Sequence, residues 1–214
     1  MSTRLTAIPT PRTQAERTAE SDARMLEAAV QLIVKRGADG MTLKDVGESA
    51  GYSRGLAGHR FGSKAGLFSA LVRSVGEDWL EELGAAVEGK SGLGAILAAT
   101  DAHYRFVAER DDRIRAFYIL WFNSIGPDPD LKQTIAHIHE RRQRDVETWI
   151  RGGIASGTIR ESIDVTRIAE QFCAAIIGIV YQWLASPADE HSIQQLHEGL
   201  KQQMLLALKH TEET

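Results

Sequence analysis

Cysteine is almost absent from this chain of 214 residues: it occurs once, as Cys173. A single thiol excludes an intramolecular disulfide and a thiolate metal site, and it suits a reducing compartment. Its place inside an apolar run reads as a buried structural thiol. Long hydrophobic runs are missing too. The longest, Phe172 to Tyr181, is about half of what a membrane-spanning helix needs. The opening residues MSTRLTAIPTPRTQAERT lack the apolar core of a signal peptide. The expectation is a soluble, cytoplasmic protein without membrane association. No alternating strand pattern extends beyond a few residues, no internal repeat is evident, and no HExxH zinc pattern occurs. The chain therefore reads as all-α, with no cofactor, no metal site and no catalytic residues.

What is present concentrates in residues 42–67, TLKDVGESAGYSRGLAGHRFGSKAGL. Thr42 is placed to cap a helix, with Asp45 three residues on in a near-match to the capping box. Leu43, Val46 and Ala50 fall on one face, and Gly51 permits a sharp turn. Ser53 is placed to cap a second, short helix ending near Phe61–Gly62. Arg54, His59 and Arg60 on that helix suit side chains entering a major groove, with Leu56 and Phe61 anchoring it from behind. Lys64 stands beside Ser63 at a third helix start, where its ammonium and the first amides could address one phosphate. Taken alone, the pattern also fits an ordinary helical hairpin with solvated charges. Upstream, Met25, Ala28, Ala29, Leu32 and Ile33 mark one face of a helix over Ser21 to Gly37. Three short helices are thus expected over residues 21–61.

The order Ala28-Ala29, Gly37, Thr42, Val46, Ala50-Gly51, Ser53, Gly55, Phe61, Ser63-Lys64 and Leu67-Phe68 resembles the DNA-binding domain of the TetR family of bacterial transcriptional regulators. The resemblance implies a three-helix helix-turn-helix domain over 19–73, with its motif within 43–62. It implies phosphate contacts by Thr42, Ser53 and Lys64, with Arg54, His59 and Arg60 on or beside the recognition helix. It also implies a helical body over 74–214 that binds an effector and forms a homodimer. The chain departs from the family at Gly58, where an aromatic residue is usual, and Leu56 and Ala57 are unusual just before it. Arg60 could then take up a phosphate role. A mid-helix glycine costs about 1 kcal/mol relative to alanine, so this helix is expected to be only partly ordered without DNA.

Charge is split along the chain. Residues 1–75 hold 11 Lys+Arg against 7 Asp+Glu, and residues 76–214 hold 14 against 22. A basic head on an acidic body suits a DNA binder whose body avoids non-specific contact, although a chance fluctuation gives the same split. Residues 1–18, rich in Thr, Pro and Arg, read as a flexible arm. Arg4, Arg12 and Arg17 could reach DNA, or the segment has no role.

Beyond Ser69 only helical periodicity is present. Helices are expected over 64–87, 93–109, 112–124, 128–152, 163–185 and 189–209, separated by Gly, Pro and Ser breaks. Gly84 to Ser91 spells the phosphate-loop pattern GxxxxGK[ST], but charged helical residues precede it where a buried strand is required. His137, His139 and Glu140 cluster with a spacing that splits the two histidines across a helix, so they read as a solvated face.

Tyr104, Phe106, Phe117, Tyr118, Trp121, Phe122, Trp149, Phe172 and Trp183 all lie in the body. Most simply they are core. A helical body holding this many rings can also leave an apolar cavity, and Phe106, Phe117, Trp121, Phe122, Trp149 and Phe172 are the candidate lining for a small hydrophobic effector. Residues 165–184 carry two apolar stripes, so that helix needs cover on both sides. Ile168, Phe172, Ile176, Ile179 and Trp183, with Ile193, Leu196, Leu200 and Met204 of the last helix, are the candidate dimer interface; a deeply buried helix in a monomer is the alternative. The reading is a repressor released from a palindromic double-stranded DNA operator by a small ligand. An effector-independent DNA-binding or scaffold protein, and a phosphate-loop nucleotide enzyme, remain as alternatives.

Overall fold

Thr13 and Glu16 start the first helix earlier than its apolar stripe does. The Thr13 hydroxyl accepts from the Glu16 amide at 3.2 Å, and the Glu16 carboxylate accepts from the Thr13 amide at 2.7 Å. This reciprocal capping box sets α1 at Gln14–Arg36. Residues 14–18, expected in a flexible arm, are therefore helical, and Arg17 donates to Gln14 at 3.1 Å. The fold is taken from a computed structural model that describes residues 13–109, 111–186 and 192–209, so Arg4 and Arg12 lie outside the described residues.

The described residues form helices and turns in two compact units, 1–64 and 65–214. The expected boundary after residue 73 falls inside one unbroken helix. The first unit holds α1, α2 (Leu43–Ser49) and α3 (Leu56–Phe61), with α2 packed on both of the others. Met25, Ala29, Ile33 and Val46 form its core.

The second unit is built from α4 (Lys64–Val87, its first residue closing the first unit), α5 (Gly92–Glu109), α6 (Asp111–Asn123), α7 (Pro129–Ala155), α8 (Val165–Ala185) and α9 (Ser192–Leu208). Asp128 caps α7, with Pro129 at the first helical position where its missing amide costs nothing, and Asp164 caps α8. α5 and α8 each pack on α7 and α9. The start of α5 and the end of α7 meet backbone to backbone. A Cβ on Gly153 would lie 2.8 Å from the Gly92 Cα and 2.5 Å from the Ile159 Cδ1, so no side chain fits there. Arg113 of α6 ties back to α4 by donating to Asp78 at 2.8 Å and to Ser74 at 3.2 Å.

One expectation fails here. The stripe assigned to a dimer interface faces inward: Phe172, Ile176, Ile179, Ile193, Leu200 and Met204 are buried within the chain itself, while Ile168, Trp183 and Leu196 are half-buried. On α9 the inward position beside Leu196 is taken by His197. A helix apolar all round offers two equivalent faces, and only packing decides between them. By length and composition α8 could cross a membrane, yet it packs on α7 and α9, and 33% of its apolar window is buried. The Gly84–Ser91 segment is the last turn of α4 and the turn after it, with Lys90 Nζ donating to the Ala86 carbonyl at 2.8 Å. The element before it is helix and not strand, so the phosphate-loop reading fails.

A matched pair of substitutions tests the α5–α7 contact. Gly153→Ala is expected to lower stability by about 1–3 kcal/mol through overpacking. Gly84→Ala, where an added Cβ meets nothing within 4 Å, is expected to raise it by about 0.5–1 kcal/mol. Thermal unfolding should show opposite shifts of about 2–4 °C per kcal/mol at this length; shifts of the same sign would remove the close contact as a constraint.

Candidate nucleic-acid interface and interhelical cavity

α2 begins with a second reciprocal box. The Asp45 amide donates to the Thr42 hydroxyl at 3.2 Å, and the Thr42 amide and hydroxyl donate to the Asp45 carboxylate at 2.9 and 2.7 Å. The Thr42 hydroxyl contact holds the Asp45 carboxyl below its ordinary range, with Arg36 and Lys44 adding to it. The turn that follows depends on Gly47. A Cβ there would lie 2.7 Å from the Ser53 carbonyl oxygen, so the chain folds back onto a bare backbone. The Tyr52 amide donates to the Gly47 carbonyl at 2.8 Å, and Gly51 takes a φ of +81°.

α3 starts two residues later than expected. Gly55 is its N-cap and no side chain caps it, so Ser53 does not serve that purpose. Ser53 is instead exposed, and its hydroxyl makes no hydrogen bond among the described residues. Residues 56–61 are helical across Gly58. Ala57 is fully buried and the Gly62 amide closes the helix on the Gly58 carbonyl at 2.9 Å.

The candidate DNA contacts all belong to the first unit. Arg54 pairs with Glu48 across the turn. Arg60 forks onto Asp22 of α1, Nε to Oδ1 at 2.7 Å with Nη2 on the second oxygen, a contact that also holds its guanidinium more firmly protonated. Lys64 Nζ donates to the Asp39 carbonyl at 3.2 Å. Thr42 and His59 are exposed, as is Lys44 in the first turn of α2, a cation beside the Thr42 cap that the sequence reading passed over. Gly51 to Gly55 also spells GxSxG, the pattern of a hydrolase nucleophile elbow. That elbow needs a strand before the serine and here α2 precedes it.

Residues 25–71 match the model of bacterial regulatory proteins of the tetR family. The chain is 27% identical over 181 residues to the HTH-type transcriptional regulator ArpR of Pseudomonas putida, covering 80% of this chain and 84% of that one. It is 31% identical over 125 residues to the HTH-type transcriptional regulator BetI of Burkholderia lata, covering 56% of this chain and 62% of BetI. A transcriptional regulator from Saccharomonospora viridis, solved in complex with choline, shares the fold at a TM-score of 0.77 and 20% identity, over 90% of this chain and 100% of that one.

The chain belongs to the TetR family.

It is accordingly a helix-turn-helix transcriptional regulator and not an enzyme. In this TetR-family chain the described residues of the body line two adjoining narrow hollows. The larger, about 40 Å³, is lined by Trp79, Leu83, His103, Arg142, Trp149 and Phe172 among others. The smaller, about 20 Å³, includes Phe106, Phe117 and Tyr118, and shares Trp79, His103 and Arg142 with the first. Water-sized occupancy needs about 10–15 Å³, whereas ligand sites run to about 300–1,000 Å³. A ligand would have to open them. Of the candidate lining, Trp149 and Phe172 face the larger hollow, and Phe106 and Phe117 the smaller. Trp121 and Phe122 face neither. Trp121 is buried against His139, with the Arg142 guanidinium 5.4 Å from its ring centre. Phe122 is 41% exposed and stands edge-on to Tyr181. A separate groove of about 510 Å³, open to solvent, is lined by Arg73, His137, Arg141 and Arg144 among others.

The sequence reading missed Trp79, His103, Tyr118 and Arg142. One signal was available: Arg142 lies on the inward stripe of α7, in register with Ile135, Val146 and Trp149. Cys173 is half-buried and faces the larger hollow, where burial pushes its thiol up to about 11.

His103 and His197 are buried and linked, Nδ1 to Nε2, at 2.9 Å. His197 Nδ1 lies 2.7 Å from the Ile193 carbonyl, which can only accept. His197 therefore carries its proton on Nδ1, and its Nε2 accepts from His103 Nδ1–H. Burial lowers both pKa values, and for His103 the neighbouring His197 and Arg142 lower it further. The neutral form is favoured when folded. The unfolded chain takes up protons near pH 6.5, so this contribution is complete above about 6.5 and is lost as pH falls from there toward the depressed folded value. The melting temperature is expected to fall between about pH 7.5 and 5.0 by more in the natural chain than in His103→Phe; parallel falls would acquit His103 as the source.

Proposed function

We propose that this protein is a homodimeric, cytoplasmic repressor that leaves a near-palindromic operator when a small ligand with a hydrophobic body opens the hollow under Trp79. The carrying observation is the formed α3 with Ser53, Arg54 and His59 exposed around its start and last turn. A short helix presented this way, with Thr42 and Lys64 flanking it as phosphate contacts, suits insertion into a major groove. The choline bound in the Saccharomonospora viridis protein supports a small-molecule site in the body of this one. α4, which runs unbroken from Lys64, carries Trp79. A ligand that displaces Trp79 bears on the helix whose first residue is a DNA-contact candidate.

A different face supports the dimer than the one first expected. Ala174, Gly178, Tyr181 and Ala185 recur on the side of α8 away from its buried stripe, and Gln195, Gly199, Gln202 and Leu206 do so on α9. Tyr181 is 55% exposed and Leu206 84%. Small residues at helical spacing let helices approach closely, and two such helices with their copies make a four-helix interface. The narrowness of the hollows favours one second reading, an effector-independent regulator.

Selection of bound fragments from a random DNA library is expected to return a two-fold symmetric site with half-sites about 34 Å apart; an asymmetric motif would remove the dimeric reading. Lys64→Ala should weaken binding to all sequences and reduce the slope of log K against log salt by about 0.9, one phosphate's worth. An unchanged slope takes Lys64 off the contact surface. Sedimentation of Tyr181→Glu should show a shift to monomer at concentrations where the natural chain is dimeric. A stable dimer in that variant would place the interface elsewhere.

A further inference from the structure

We infer that the effector is an organic anion: an apolar, ring-sized or chain-like body ended by a carboxylate or similar oxyanion, its charge held by Arg142 and the Tyr118 hydroxyl. This rests on the proposed reading of the second unit as the effector-binding body.

Arg142 is the side chain that both hollows share on α7. Its Nη1 is buried and makes no hydrogen bond, and the same is true of the Tyr118 hydroxyl, on a residue 3% exposed. Arg113 and Arg160 each also bury an unpartnered Nε, but neither lines a hollow. Arg113 donates to Ser74 and Asp78, and Lys201 lies 2.9 Å from Asp101 and 2.8 Å from Glu198. Among the described residues no carboxylate pairs with Arg142; its contact is the Trp121 ring. The guanidinium lies near enough to Tyr118 to offset part of the rise that burial imposes on the phenol, without reaching hydrogen-bond geometry. Two dry donors thus converge on the smaller hollow. Leaving such groups unpartnered is costly, and an oxyanion satisfies both at once.

Charge argues the same way. The histidine pair is held neutral, so Arg142 sets the sign of the field at the junction of the two hollows. Asp145 also lines the larger one. It is half-buried and none of its oxygens is both buried and unpartnered, so it has no comparable need of a ligand. The walls beyond Arg142 are Leu83, Trp149, Phe172 and Ile176. These would cover an apolar body.

The test is calorimetric titration of the full chain with two series of probes: naphthoate, naphthamide and naphthylmethylammonium, then octanoate, octanamide and octylammonium. In at least one series the acid is expected to bind about tenfold or more tighter than its amide and its amine. Arg142→Met should abolish that preference and leave amide binding within about threefold of the natural chain. Tyr118→Phe should weaken the acid by about threefold while unfolding normally, and it decides the matter if Arg142→Met does not fold. Equal binding of all three probes, or preference for the amine, overturns the anion and leaves an effector-binding body intact. No binding of any probe, with operator binding retained, overturns both.

Discussion

A half-buried arginine, its Nη1 buried and unpartnered and no carboxylate paired with it among the described residues, is the constraint around which the body is arranged. Arg142 occupies an inward position of α7 between apolar neighbours, where an aliphatic side chain would have met no objection. Trp121 lies under it, burial and then its charge lower the pKa of His103 and His139 beside it, and the Tyr118 phenol sits within its field. His103, His197 and the Ile193 carbonyl form one directed chain of hydrogen bonds. A charge at such a position without an internal counter-ion does little for the fold's own stability, and that is why we assign it to a ligand.

The head answers to a different constraint, the close return of the chain at Gly47. With the Ser53 carbonyl 2.7 Å from where a Cβ would stand, α2 and α3 can be joined by a turn short enough to hold them at a fixed angle. The basic groups around α3 are already engaged, Arg54 with Glu48, Arg60 with Asp22 and Lys64 with a backbone carbonyl. Exposed ion pairs are worth about 0–1 kcal/mol each, so exchanging them for phosphates costs little. On the proposed reading their value is positional, since they hold long side chains beside the surface that would meet DNA.

Helix ends were legible in the sequence because local chemistry writes them. Lys64–Val87 has the bounds its Ser-Lys start and Gly-Lys-Ser-Gly finish announce, and Asp128-Pro129 marks α7. Thr42 and Asp45 make the box their spacing suggested, and residues 25–71 carry the family pattern. The arm was misread because Thr13 and Glu16 cap a turn that has no apolar stripe to reveal it. Facing was not legible: both sides of α8 are apolar, and which one turns inward depends on α7 and α9, far away in sequence. The cavity was half legible. Rings point to a hydrophobic site, so Trp149 and Phe172 were found, but Arg142 looked like one more charge in a run with six charged residues in nine, HERRQRDVE. Its inward register shows only when α7 is laid against Val146 and Ile135.

The smallness of the hollows bears on regulation more than on affinity. A ligand that fitted them as they stand would meet the same contacts whether or not the protein held DNA, and a ligand with equal affinity for two states shifts neither. On the proposed reading, regulation calls for a ligand too large for these hollows, one that moves Trp79 and with it α4. The free energy spent on opening lowers the apparent affinity for ligand, and whatever part of it DNA binding opposes is returned as coupling. Couplings of about 1–3 kcal/mol change affinity by about 5- to 150-fold, and equally for each ligand against the other. If the proposed reading holds, operator-bound protein resists the effector by the factor with which the effector weakens the operator, and the packing around Trp79, Trp149 and Phe172 is then part of the switch.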